Sequence, residues 1–308
     1  MHLPSPVGPL RAALARPGGP PRGTVLLLEG RGEFLEKYAP TVEHLVAERL
    51  VVLGLDWRGQ GGSPRLLPGT QRGHVDDFAD YLEDLSLLLA RAEQLGLPEP
   101  WSLLAHSMGG HVALLHLARA PGRIARAALV TPMFDIALGP LPRPLVELLA
   151  RAAVGLGAAR RYAPGQRDPV AACRFEGNPT TSCREAFAAW WELLRRHPER
   201  RVGGVTWGWL AAALRSIEAS RTPGLLERIA TPLLVLRAGE ERIVCNRAIG
   251  RFSERLRTAT LVDFPGARHD LLWERAEVRA RVLDTLARFL LGAGTQSPTP
   301  DGAERPPP

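Results

Sequence analysis

Six short apolar runs, bounded by turn residues and separated by amphipathic stretches, constrain the fold of this 308-residue chain more than any other feature. The runs are 24–28 (TVLLL), 50–54 (LVVLG), 101–105 (WSLLA), 126–130 (RAALV), 232–237 (PLLVLR) and 259–263 (ATLVD). Strands that are apolar at nearly every position have no solvent face, so both sides of their sheet must be covered. The stretches at 34–49, 74–95, 108–119, 246–256 and 275–291 carry apolar residues three and four apart and supply that cover as helices. The pattern predicts an α/β protein with a mostly parallel central sheet and helices on both faces. Residues 9–16 fit an additional antiparallel edge strand.

The alternation stops between the fourth and fifth core strands. Residues 136–225 have no strand signal, but 144–158, 184–196 and 206–219 have helical periodicity. Trp190, Trp191, Trp207 and Trp209, four of the seven tryptophans, fall there. The expected organisation is a core split into 1–135 and 226–292 by a helical cap at 136–225. Residues 293–308 (AGTQSPTPDGAERPPP) are rich in Pro, Gly and polar residues and read as a disordered tail.

Composition narrows the function by exclusion. The first twenty residues lack the apolar segment of a secretory signal, and no run is long enough to span a bilayer, so the expected location is the cytoplasm. Cys173, Cys183 and Cys245 form no CxxC pair and suggest neither a disulfide framework nor a zinc site. The net charge of +7 comes from arginines spread along the chain, with Lys37 the only lysine. Such scatter is not a nucleic-acid footprint, but it leaves room for weak peripheral attraction to an anionic membrane surface.

Residues 101–110, WSLLAHSMGG, run an apolar strand straight into a serine with small neighbours and then into a helix. This is the context of a GxSxG nucleophile turn, whose tight strand-to-helix reversal leaves no room for large side chains two positions away. Ala105 stands where the first glycine usually does, and Gly109 holds the second position. The competing reading is a buried serine capping the helix that starts near Met108. Partners elsewhere in the chain favour the nucleophile.

A serine hydroxyl needs a base to take its proton and a carboxylate to orient that base. With the chain order Ser, acid, His, the base is His269, in GARHDLLWE just past the last strand signal. The acid is open on the residues alone. Glu240 and Glu241 follow the strand PLLVLR and Asp135 follows the preceding strand. Asp263 lies within the final strand, and Asp270 reads as a helix-start residue. Side chains alternate along extended backbone, so Glu240 and Glu241 cannot both face the histidine. The oxyanion hole needs two backbone N–H donors: Met108, after the nucleophile, and Arg31, after Gly30 in EGRGEF.

The segments GRGEFLEKY (30–38), LDWRGQGGSPR (55–65), LLAHSMGGHVAL (103–114), AGEERIV (238–244) and GARHDLLWE (266–274) together resemble the bacterial lysophospholipase and monoacylglycerol lipase group of α/β-hydrolases. The resemblance spans about residues 10–292, and the segment GGVTWGWLAAALRS (203–216) is similar to the lysophospholipase branch. It implies the α/β-hydrolase fold, Ser107 as nucleophile, His269 as base and Glu241 as acid. Arg242 keeps the register, although the group usually has Asp where Glu241 stands and GHSMGG where this chain has AHSMGG. Glu33, Asp56 and Arg58 match recurring positions and read as supporting ion pairs.

The implied activity is hydrolysis of a carboxylic ester of a single-acyl-chain lipid, a lysophospholipid or monoacylglycerol, through an acyl-enzyme. No metal or organic cofactor is implied. A generic carboxylesterase or thioesterase is the nearest alternative. A peptidase relative ranks lower, and so does an inactive binding protein on the same fold, the latter because every triad position holds a competent residue. Epoxide and haloalkane hydrolysis need a carboxylate nucleophile, which Ser107 excludes.

Overall fold

The computed structural model describes residues 1–120, 122–169 and 174–292. The strands are β1 (His2–Leu3), β2 (Leu10–Ala15), β3 (Gly23–Leu28), β4 (Leu50–Leu55), β5 (Trp101–His106), β6 (Arg126–Val130), β7 (Leu233–Ala238) and β8 (Ala259–Phe264). They form one sheet in the order β1-β2-β4-β3-β5-β6-β7-β8, parallel from β4 to β8. β2 pairs antiparallel with β4 through Ala12↔Leu55, as expected of 9–16, but β1 pairs beyond it and takes the edge.

The helices are α1 (Ala39–Ala47), α2 (Ala79–Gln94), α3 (Met108–Arg119), α4 (Arg143–Gly155), α5 (Arg184–Arg196), α6 (Trp207–Ser220), α7 (Asn246–Arg255) and α8 (Ala276–Leu290). Strand alternation divides the core in two. Leu26, Leu28, Leu53, Leu103 and Ala105 join α2, α3 and α7 on one face. Val25, Leu27, Val52 and Leu104 join α1 and α8 on the other.

Two expected helices start late. The stretch 34–49 opens as a 3-10 turn at Leu35–Tyr38 and becomes α-helical only at Ala39. Pro40 explains this: its ring would clash with the carbonyl four residues back in a longer helix, but fits the first turn of a new one. The stretch 74–95 is helical only from Ala79. Its first residues adjoin a backbone seam, in which Gly73 bridges Val205 and donates to the carbonyl of Gly204 (3.0 Å), while Thr206 donates to Gly73 (3.0 Å).

Between β6 and β7 the described residues contain α4, α5 and α6, with bridges but no strand. Asp135, expected as an alternative acid, holds this segment at its base through ion pairs with Arg143 and with Arg221 (2.6 Å). Cys183 and Cys245 are free thiols. Cys173 and the expected tail at 293–308 lie outside the described residues.

Candidate active site

β5 ends at His106 and α3 begins at Met108, so the reversal falls on Ser107 alone. Its backbone sits at φ 50°, ψ −113°, a conformation costing about 1–3 kcal/mol for a residue with a side chain. Surrounding hydrogen bonds hold it there. Ser107 N–H donates to the Val130 carbonyl (3.0 Å), and the Ser107 carbonyl accepts from Gly110 (3.0 Å) and Met133 (2.9 Å). A Cβ at Gly109 would lie 2.5 Å from the Leu28 carbonyl oxygen, and one at Gly110 2.8 Å from Pro132 Cβ. Both glycines of SMGG are therefore required by close approach. The methyl of Ala105 is accommodated inside the core.

His269 lies in the loop after β8, buried, with Nε2 3.0 Å from Ser107 Oγ and Nδ1 2.7 Å from Glu241 Oε2. Thr131, itself at φ 42°, donates its hydroxyl to the His269 carbonyl (2.8 Å) and fixes the loop. Glu241 is in turn clamped by its own backbone. Its Oε1 accepts from the N–H groups of Arg242, Ile243 and Val244 at 2.9, 2.7 and 3.2 Å, and its side chain is shielded from solvent. Burial pushes this carboxyl up, but the bonds from His269, Ile243 and Val244 outweigh it and leave Glu241 below the usual carboxylate range. It stays ionised at neutral pH, as an imidazole-orienting group must.

The other carboxylates point elsewhere. Glu240 is about half exposed and faces Arg268 (3.7 Å). Asp263 pairs with Arg237 (2.6 Å) on the sheet surface. Asp270 does precede a short helical turn, Leu271–Trp273, but its side chain caps nothing and instead forms a buried ion pair with Lys37.

The N–H groups of Arg31 and Met108 have no protein acceptor among the described residues. Met108 opens α3, where the first N–H groups lack helical partners. The loop bearing Arg31 is secured from behind: Gly30 N–H donates to Glu33 Oε2 (2.6 Å), and that oxygen lies 3.1 Å from His106 Nδ1. Glu33 also pairs with Lys37. Burial pushes Glu33 up, but His106 and Lys37 more than offset this and hold it well below the usual range. Asp56 pairs with Arg11 (2.8 Å) and Arg58 with Asp84 (2.6 Å), so the three expected ion-pair residues are engaged as such.

Sequence reading missed His106, Lys37 and Thr131. Their signals were faint: a histidine next to the nucleophile, the chain's single lysine, and the end of a strand neighbouring the serine. Glu33, His106 and Asp270 bring ligand-type atoms close enough for a metal. The Lys37 ammonium, paired with both carboxylates, already supplies the positive charge there.

A cavity of about 570 Å³ opens onto Ser107 and His269. Its walls include Met133, Leu141, Val146, Leu149, Ile243 and Val244, with Trp190, Trp207 and Trp209 from the inserted helices. Trp191, next to Trp190 on α5, packs against Phe187 instead. The site sits at the carboxyl ends of the parallel strands, where open α/β sheets bind ligands.

A family model described as "Serine aminopeptidase, S33" matches residues 19–276. Among curated proteins, the chain is 34% identical over 284 residues to lysophospholipase L2 of Escherichia coli, covering 86% of this chain and 79% of that one. It is 30% identical over 278 residues to the probable lysophospholipase L2 of Haemophilus influenzae, covering 90% and 86%. Among solved structures, a soluble variant of the Saccharomyces cerevisiae monoglyceride lipase superposes with a TM-score of 0.75 at 18% identity over 96% of each chain. The chain therefore belongs to this serine-hydrolase family of the α/β-hydrolase fold, in the group that holds the lysophospholipases L2 and the monoglyceride lipases.

Proposed function

We propose that this carboxylic ester hydrolase cleaves the ester of a single-chain lipid, a lysophospholipid or a monoacylglycerol, through a covalent acyl-enzyme on Ser107. The observation that carries the proposal is the relay of Ser107 Oγ, His269 and Glu241, with its 3.0 and 2.7 Å contacts, opening into an apolar cavity of about 570 Å³. Ser107 Oγ attacks the ester carbonyl while His269 Nε2 takes its proton. Glu241 holds Nδ1–H and stabilises the imidazolium. The N–H groups of Arg31 and Met108 receive the oxyanion. The proton then passes to the leaving alcohol, and water, activated by the same imidazole, releases the fatty acid.

The inserted segment 136–225 acts in this reading as the cap over the acyl chain, with the core at 1–135 and 226–292. Peripheral membrane contact belongs to the same reading. On and beside α4, Leu141, Leu145, Leu148, Leu149 and Leu156 are 41–86% exposed, and Leu141 and Leu149 also line the cavity. Arg151, Arg160 and Arg161 are exposed nearby. Leucines flanked by arginines suit an anionic lipid surface. No helix among the described residues is long and apolar enough to cross a membrane.

The test is a panel of esters differing in acyl length and head group, assayed with fluorophosphonate labelling of the active serine. Long-chain lysophospholipid and monoacylglycerol should exceed short acetate esters in kcat/KM. Preference for short esters or thioesters would replace the lipid reading with a generic esterase.

A further inference from the structure

Among the described residues, buried Lys37 and Arg58 and half-buried Arg11 are neutralised by carboxylates. Arg11 is shared by Glu36 and Asp56, Arg58 by Asp80, Glu83 and Asp84, and Lys37 by Glu33 and Asp270. Arg31 differs. Its guanidinium lies over the Trp209 ring (5.4 Å) and donates Nη2–H to the Gly203 carbonyl, but no carboxylate among the described residues forms an ion pair with it. Its Nε is buried and has no hydrogen-bond partner among the described residues. Burial pulls the group below its ordinary pKa, and the nearby Tyr81 and Tyr162 offset only part of that. A half-buried charge with no counter-ion is costly unless something of opposite sign completes it.

The position of this charge says what would complete it. Arg31 lines the cavity that holds Ser107 and His269. That lining carries Arg31, Lys37 and Arg242 against only Glu33 and Asp270, and both carboxylates are spent on Lys37. The excess positive charge rests on Arg31 within and on exposed Arg242. A fatty acyl chain gives it nothing to pair with, nor does the neutral glycerol of a monoacylglycerol. A lysophospholipid carries a phosphodiester separated from its ester only by the glycerol carbons. With the ester carbonyl against the Arg31 N–H, the same residue, which lines the same cavity, supplies a cation that no carboxylate claims, and a guanidinium binds phosphate with geometric preference.

We infer that Arg31 is the specificity-determining residue of this site, taking the head-group phosphate and favouring lysophospholipid over monoacylglycerol. The inference rests on the proposed ester hydrolysis at Ser107. Two measurements keep the two ideas separate. The first compares kcat/KM for lysophosphatidylglycerol and for a monoacylglycerol of the same chain, in wild type, Arg31→Gln and Arg31→Lys. The lysophospholipid-to-monoacylglycerol ratio should fall roughly 10- to 100-fold in Arg31→Gln, the range expected for a lost charge-assisted bond, and recover in part in Arg31→Lys. The readout is the ratio, because Arg31 also lies on the oxyanion loop. The second is calorimetric binding of sn-glycerol 3-phosphate, inorganic phosphate and glycerol to the wild-type protein and to Arg31→Gln. Glycerol 3-phosphate should bind more tightly than inorganic phosphate, glycerol should not bind, and Arg31→Gln should abolish the difference. An unchanged ratio overturns the role of Arg31, and so does glycerol 3-phosphate binding to the wild-type protein no better than glycerol, an outcome that holds even if Arg31→Gln fails to fold. Inorganic phosphate binding as tightly as glycerol 3-phosphate overturns it as a lipid head-group site. Absence of turnover on both esters, with the binding difference intact, strikes the ester reading instead.

Discussion

Around Ser107 the main chain is held in left-handed conformation at two non-glycine residues, Ser107 and Thr131, each tied to a neighbouring strand or loop by hydrogen bonds. Over the cavity, α4 turns Val146 and Ala150 inward and leaves Leu145, Leu148 and Leu149 substantially exposed. One region stores strain that a packed sheet can bear. The other keeps apolar surface in water, which a protein tolerates in quantity mainly where that surface meets something else. The difference separates two roles. On the proposed reading, the strand ends fix the reacting atoms, while the inserted helices shape what reaches them.

Removing the proposed nucleophile is the most severe way to break that contrast. Ser107→Ala should lower kcat by as much as about 10⁶-fold and abolish fluorophosphonate labelling. The fold should stay intact by circular dichroism, because the backbone bonds of Ser107 do not involve its hydroxyl. Labelling that survives the substitution would place the nucleophile elsewhere.

Next comes the acid, where three carboxylates compete. Glu241→Gln should reduce kcat by about 10³- to 10⁴-fold with KM nearly unchanged, since the amide cannot stabilise the imidazolium and favours the wrong tautomer. Glu240→Gln and Asp135→Asn should each cost less than about tenfold. Among the described residues the side chain of the first pairs only with Arg268, and the second substitution loosens the pairs that hold α4 and α6. Near-normal turnover in Glu241→Gln, with loss in either of the others, would refute the assignment and leave Ser107 untouched.

How much of this was legible in the sequence follows from whether a local pattern carried it. The sheet was readable because buried parallel strands are continuous apolar runs, and GxSxG-like spacing marks a steric need that Gly109 and Gly110 display directly. The choice between Glu240 and Glu241 was half readable. Alternation says that one faces away, and the family resemblance, in the register of Arg242, points to Glu241, but the backbone clamp by Ile243 and Val244 that holds this carboxylate is visible only in three dimensions. The His106–Glu33–Lys37–Asp270 cluster was not readable at all as a cluster. It joins residues from separate segments, and each has an ordinary local explanation. The short strand β1 was equally silent, because two residues carry no periodicity.

The smallest expected effect sharpens the contrast rather than breaking it. Leu145 and Leu148 are 41% and 56% exposed on α4, and neither lines the cavity, whereas Leu141 and Leu149 do. Replacing Leu145 and Leu148 with Asp therefore tests the outer surface without altering the walls of the site. If these leucines rest on lipid, each withdraws apolar area from water on binding and loses it when charged. Partitioning of the double variant onto anionic vesicles should fall by roughly 5- to 30-fold. Turnover of vesicle-borne lysophospholipid should fall in proportion, while a short soluble ester is hydrolysed within about twofold of wild type. The variant should also be as stable as the parent, because exposed leucines contribute little to folding. Equal losses on both substrates would mean that α4 acts through the cavity itself. Unchanged partitioning would leave the exposed leucines without a lipid partner.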